Sequence, residues 1–154
     1  MGWTKEQLEK QGHTVICPII PDAWKASYEE WKTHLDTLPI DENTILAGWS
    51  AGGYVLLRWL KETGKYVRKV ILIAPSSECY LEGIRREALP LEHEFYSEKI
   101  TPSLTSQFQK QMTILVSNDD KEILRSVAFY KETLGAEVIQ LENLGHFSFL
   151  MPQL

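Results

Sequence analysis

The stretch Gly48-Trp49-Ser50-Ala51-Gly52-Gly53 constrains this chain more than any other. A short apolar run, Thr44-Ile45-Leu46-Ala47, leads into it. Tyr54-Val55-Leu56-Leu57-Arg58-Trp59-Leu60 follows, with apolar residues at helical spacing. A strand that turns sharply into a helix, with serine at the apex, is the setting in which Gly-x-Ser-x-Gly carries meaning. So tight a turn strains the serine backbone and leaves little room two residues to either side. Gly48 and Gly52 are expected to meet that demand. The apex lifts the Ser50 hydroxyl clear of the sheet at the positive end of a helix, and the Ala51 N–H points to where an oxyanion forms. A phosphate-cradling loop of the Walker type is excluded, because no Gly-Lys-Ser/Thr follows.

The rest of the chain reads as alternating strands and helices. Thr4 to Gln11 is expected to be helical, with Leu8 as its apolar contact and Gly12 as its stop. Thr14 to Pro18 reads as a short buried strand. Trp24 to Leu38 reads as a helix, since Trp24, Tyr28, Trp31 and Leu35 fall three or four apart. That aromatic stripe is taken as core. Val70 to Ala74 and Met112 to Val116 read as strands, and the continuous apolar run of the former suits a sheet covered on both faces. Lys121 to Leu134 is a helix stopped at Gly135, and Glu137 to Leu141 is the last strand. This alternation predicts an α/β fold with a parallel sheet. At 154 residues the chain suits a single domain, 1–154. Residues 75–109 are irregular and long enough for a small lid over a site.

Charge and composition narrow the partners. A net charge of −5 without a dense basic stripe argues against nucleic acid. No apolar run approaches membrane-spanning length, and Met1 leads straight into a charged segment, so neither a membrane partner nor a leader is expected. Cys17 and Cys79 lack metal-ligand or redox spacing and are expected to be free thiols in a reducing cytoplasm.

Ligand chemistry in α/β sheets gathers at the carboxyl ends of strands. Three such ends carry Ser50, Asp119-Asp120 and His146. Their order along the chain is that of α/β-hydrolases and of neither chymotrypsin-like nor subtilisin-like proteases. A serine hydroxyl is a poor nucleophile until a base removes its proton, and an imidazole can do so near neutral pH. A carboxylate then fixes the imidazole tautomer and stabilises the imidazolium. Either Asp119 or Asp120 can serve, the other capping the helix that begins near Lys121. His13, His34 and His93 read as structural or solvated, with His93 the nearest of them to a substrate role.

With these residues in hand the chain resembles the RBBP9/YdeN serine hydrolase family of small α/β-hydrolases. Gly48-Trp49-Ser50-Ala51-Gly52, Ser117-Asn118-Asp119-Asp120 and Gly145-His146-Phe147 carry the likeness, with Glu29-Glu30-Trp31 and Phe95-Tyr96-Ser97 matching in layout. The resemblance covers nearly the whole chain. It implies a three-layer α/β-hydrolase-like (flavodoxin-like) parallel sheet with helices on both faces. It also implies carboxylesterase-type hydrolysis of a small-molecule ester through a Ser-Asp-His triad, with no metal or other cofactor. Asp120 is favoured as the triad acid, Asp119 being the alternative. Trp49, Tyr80 and Phe95 are expected to line the acyl pocket.

The sequence departs from the family at both ends. Relatives open with a central apolar strand and a His-Gly loop that donates the second oxyanion N–H, and they close with a final helix. This chain starts inside the helix after that loop and runs eight residues past His146. The expectation is therefore an active site short of one donor, a loss on the order of 10²–10³ in kcat. An exposed sheet edge would also favour oligomers. The alternative expectation is a catalytically impaired protein that keeps the fold and acts in protein–protein interaction.

Overall fold

The computed structural model describes residues 2–21, 27–83, 85–87 and 89–147. Five α-helices and four strands succeed one another: α1 (Gly2–Lys10), α2 (Tyr28–Asp36), β1 (Ile45–Trp49), α3 (Ala51–Thr63), β2 (Lys69–Ile73), α4 (Pro90–Phe95), β3 (Thr113–Ser117), α5 (Leu124–Leu134) and β4 (Glu137–Leu141). Between β2 and β3, two short 3-10 turns, Glu78–Leu81 and Pro102–Gln107, flank α4. Gly64 and Gly135 end α3 and α5 at φ +66° and +62°, the left-handed geometry that a helix stop requires.

All four strands are parallel, in the order β1-β2-β3-β4. Parallel neighbours joined by right-handed crossovers in one direction put their connections on one face of the sheet. That face is densely packed. Leu46, Val70, Leu72, Ile114 and Val116 are buried there, beneath Tyr54, Leu57 and Leu60 of α3 and Tyr130 and Leu134 of α5. α2 lies against α3 through Tyr28, Trp31 and Leu35, and the Trp59 indole N–H donates to Asp36 Oδ1 at 2.8 Å. The arrangement fits a three-layer α/β-hydrolase-like fold.

The opposite face is thinner. Ile45 and Trp49 in β1 share it with Ile73, Leu115, Ile139 and Leu141 by register, and the outer four of these six are exposed. α1 has no buried residue, so Leu8 is not the core contact its position suggested. Val70 and Leu72 are wholly buried, but Ile71 and Ile73 only half so; the apolar run of β2 is covered fully on one side only.

Residues 14–18 form no strand: β1 pairs with β2 alone, and no described segment joins its outer edge. A lone extended segment has no ladder to complete, so its backbone groups turn to water. Pro18 and Pro21 remove donors besides, and Ile16 is 52% exposed. The second helix begins at Tyr28, capped by the Ser27 hydroxyl accepting from Glu30 N–H; Trp24, placed in that helix from its spacing, lies outside the described residues. The described residues of the 75–109 segment hold α4 and the two 3-10 turns, and part of the segment is pinned down. Phe95 and Tyr96 pack on Tyr54, Arg58 donates to the carbonyls of Glu94 and Phe95, and Lys61 pairs with Glu98.

Candidate active site

The turn from β1 into α3 is as sharp as its glycines implied. Ser50 sits at φ +52° and ψ −126°, a conformation that costs a non-glycine residue on the order of 1–3 kcal/mol. The surrounding backbone holds it there. Its N–H donates to Ile73 O at 2.9 Å, and its carbonyl accepts from Gly53 N–H at 3.0 Å and Ser76 N–H at 3.4 Å. A Cβ on Gly48 would stand 2.8 Å from three backbone atoms of Gly52 and Gly53. The second glycine of the motif behaves differently: a Cβ on Gly52 meets nothing within 4 Å, whereas one on Gly53 would press on Leu72 at 3.2 Å. The close approach that makes the elbow therefore rests on Gly48 and Gly53, not on Gly52. As first residue of α3, Ala51 has an N–H without an intrahelical acceptor.

Three chain-distant side chains meet beside this turn. His146 Nε2 lies 3.0 Å from Ser50 Oγ, and His146 Nδ1 lies 2.7 Å from Asp120 Oδ2. The Asp120 side chain is 7% exposed and that of His146 32%. Parallel register sets this up: Ser50, the 117–120 loop and the 142–147 loop all leave the same end of the sheet.

Asp119 has a different task from the one its position suggested. It does not cap α5, whose start has no side-chain cap. Its Oδ1 accepts from Gly145 N–H at 2.9 Å and from the Ser117 hydroxyl, whose oxygen in turn accepts from Leu144 N–H at 2.9 Å. Asn118 Oδ1 accepts from Asn143 N–H at 3.0 Å. These bonds clamp a loop that passes through positive φ at Asn143, Gly145 and Phe147 before and after the imidazole. The Ser117 hydrogen bond, aided by the Gly145 N–H, holds the Asp119 carboxyl below the ordinary aspartate range. Only long-range geometry reveals this clamp.

Trp49 is also placed otherwise than expected. It does not line the cavity; its indole N–H donates to the His146 carbonyl at 2.9 Å, and its ring lies 5.3 Å from the imidazole. It therefore ties the elbow to the histidine loop. The cavity itself, about 300 Å³, is lined by Ser50, Ala51 and His146 together with Ser76, Tyr80, Glu92, Phe95, Tyr96, Glu122 and Ile123. Tyr80 is half exposed at its wall. Phe95 reaches the cavity but is 1% exposed, wedged between Trp31 and Tyr54, so it is a core residue with one edge on the site.

Tyr96 was missed by the sequence reading. Its hydroxyl lies 2.6 Å from Ser76 Oγ, and burial pushes its ionisation up to about 12, which keeps it a neutral hydrogen-bonding group. The Phe95-Tyr96-Ser97 match was the available signal. His93 does not line the cavity, and His13 and His34 lie away from it. Among the described residues no cluster of His, Cys, Asp and Glu is placed to hold a metal ion, and no helix is long and apolar enough to cross a membrane.

Residues 4–150 match the sequence model of a family described as serine hydrolase. No curated protein sequence matches the chain. Among solved structures, the ydeN gene product from B. subtilis superposes with a TM-score of 0.79 at 20% identity, over 95% of this chain and 78% of that one. Alpha/beta hydrolase domain-containing protein 10 from mouse gives 0.57 at 12% identity, over 92% and 72%. A lipase-esterase related protein from Clostridium acetobutylicum gives 0.53 at 14%, over 90% and 73%. At these identities the structural likeness speaks to the fold.

Proposed function

Because the chain belongs to the serine hydrolase family, we propose that it is a carboxylesterase-type enzyme cleaving small esters through Ser50, His146 and Asp120. One observation carries the reading: the unbroken line of hydrogen bonds from Ser50 Oγ through both imidazole nitrogens to Asp120 Oδ2.

The chemistry follows from that line. His146 Nε2 takes the Ser50 proton as Oγ attacks the ester carbonyl carbon. The carbonyl oxygen gains negative charge beside the Ala51 N–H, at the positive end of α3. Asp120 accepts from Nδ1–H throughout and stabilises the imidazolium. The tetrahedral species collapses, His146 gives its proton to the departing alcohol, and an acyl-Ser50 ester remains. Water then attacks that ester with His146 again as base, His146 returns the proton to Ser50 Oγ as the acyl–oxygen bond breaks, and the acid leaves. A cavity of about 300 Å³ suits a small acyl group. Its wall comes mainly from Ser76, Tyr80, Glu92, Phe95 and Tyr96, so the 75–109 segment that carries them bears the specificity of the site.

The test is release of p-nitrophenol from p-nitrophenyl acetate. Ser50→Ala and His146→Ala should each lose at least ~10³ in kcat/KM. Equal rates in the wild type and both variants would defeat the proposal. A second reading is favoured by the exposed apolar side chains Ile45, Trp49, Ile139 and Leu141 on one sheet face: a binding protein, or a self-associating one, that keeps the fold without turnover. It predicts partner binding that Ser50→Ala leaves unchanged, together with no esterase activity.

A further inference from the structure

Resting on the esterase reading, we propose that the site prefers esters that carry a positive charge. The side chains around Ser50 point to this. Of the described residues lining the cavity, none is Lys or Arg, and two are glutamates on opposite elements: Glu92 on α4 and Glu122 just before α5. Neither belongs to an ion pair among the described residues. Arg125 does not line this cavity; it lines an adjoining depression together with Glu122 and Tyr80, and it is bound to Glu82 at 2.7 Å.

The same cavity is lined by three aromatic residues, Tyr80, Phe95 and Tyr96. Tyr96 packs against Phe95 with ring centroids 4.9 Å apart and against Tyr80 at 6.0 Å. Aromatic faces carry negative electrostatic potential and attract ammonium groups. A substrate cation would therefore meet aromatic faces and two carboxylates, while a carboxylate on the substrate would be repelled by both. The positive end of α3 acts over a short range at the oxyanion position. Glu92 is half-buried and Glu122 exposed, so Glu92 should carry the larger share and salt should weaken the effect of Glu122 more.

The experiment compares three acetate esters of similar shape: acetylcholine, its neutral isostere 3,3-dimethylbutyl acetate, and 3-acetoxypropanoate. All three form the same acetyl-Ser50, so differences in kcat/KM report the alcohol side alone. The expected order is cation, neutral, anion, with about ten-fold between successive members at low salt. In the double variant Glu92→Gln/Glu122→Gln the cation-to-neutral ratio, measured within that one protein, should fall towards one. In the wild type it should shrink in 0.5 M NaCl.

Hydrolysis of the neutral ester with no advantage for acetylcholine would overturn the charge preference and leave the esterase reading standing. So would a ratio that the double variant does not change. Failure to hydrolyse any of the three would overturn both.

Discussion

Gly48→Ala and Gly52→Ala alter the two glycines of one motif, yet they should have opposite effects. A Cβ on Gly48 falls 2.8 Å from Gly52 O, Gly53 Cα and Gly53 N, all backbone atoms of the first turn of α3. Restoring the ordinary contact of 3.4 Å requires that turn to retreat by about 0.6 Å. Overpacking of this kind costs on the order of 1–3 kcal/mol. For a chain of this size that lowers Tm by roughly 2–12 °C. The same retreat carries Ser50 away from an imidazole now 3.0 Å from its hydroxyl, and misplacement approaching 1 Å costs on the order of 100-fold in rate. A Cβ on Gly52 enters open space at a helical position, so Gly52→Ala should be neutral or stabilising by up to about 1 kcal/mol, raising Tm by a few degrees. Thermal melts followed by circular dichroism, run side by side with ester hydrolysis, measure both. A Gly52→Ala protein as destabilised as Gly48→Ala would refute the steric account of the elbow.

Three further outcomes are expected. Ser50→Gly should melt about 2–4 °C higher than the wild type while losing activity, because glycine accepts φ +52° without strain; an unchanged or lower Tm would mean that the strain is not felt. Trp49→Phe keeps the ring beside His146 but loses the hydrogen bond to its carbonyl. A net value of about 1 kcal/mol predicts a Tm lower by about 2–4 °C and, where the bond positions the imidazole for reaction, about a five-fold fall in kcat/KM; an unaltered rate would remove Trp49 from the positioning of the imidazole. Glu78 is held above the ordinary carboxyl value of 4.5, chiefly by burial, and its Oε2 has no hydrogen-bond partner among the described residues. The folded state therefore binds its proton more tightly than the unfolded chain. Stability falls as pH rises from below 4.5 through the folded value, and the loss persists above it. Glu78→Gln retains an acceptor for Ile100 N–H and should be the more stable protein at pH 7–8. That advantage should disappear below pH 4 in melts across the range, and an advantage independent of pH would contradict the assignment.

What could be read from the sequence was whatever local chemistry determines. The elbow announces itself because an apolar run, a serine flanked by glycines and a helical repeat are all within twenty residues. α3 and α5 end where Gly64 and Gly135 stand. Order along the chain was enough to nominate Ser50, the aspartate pair and His146, since parallel strands deliver their carboxyl ends to one rim. The features that escaped depend on long-range contacts. Asp119 reads as a helix cap until the loop it clamps, some twenty-five residues away, comes into view. Trp49 reads as a pocket wall until its indole meets a carbonyl 97 residues on. Gly52 matches the motif but has no steric duty, and the duty of Gly53 is visible only against Leu72. Residues 14–18 have the composition of a strand, but a strand needs a neighbour, and β1 supplies none. Tyr96 and Glu92 reach the site because α4 is anchored on Tyr54 and Arg58, a tertiary fact with no local signature.

The central claim is that Ser50 is a hydroxyl activated by His146 and Asp120. Intact-mass spectrometry after brief exposure to a fluorophosphonate, with peptide mapping of the adduct, tests it most directly. The account predicts a single adduct on Ser50 that forms at least ~100-fold more slowly in His146→Ala and is absent in Ser50→Ala. An adduct elsewhere, or a folded protein that stays unmodified under conditions that label an ordinary serine esterase, would contradict it.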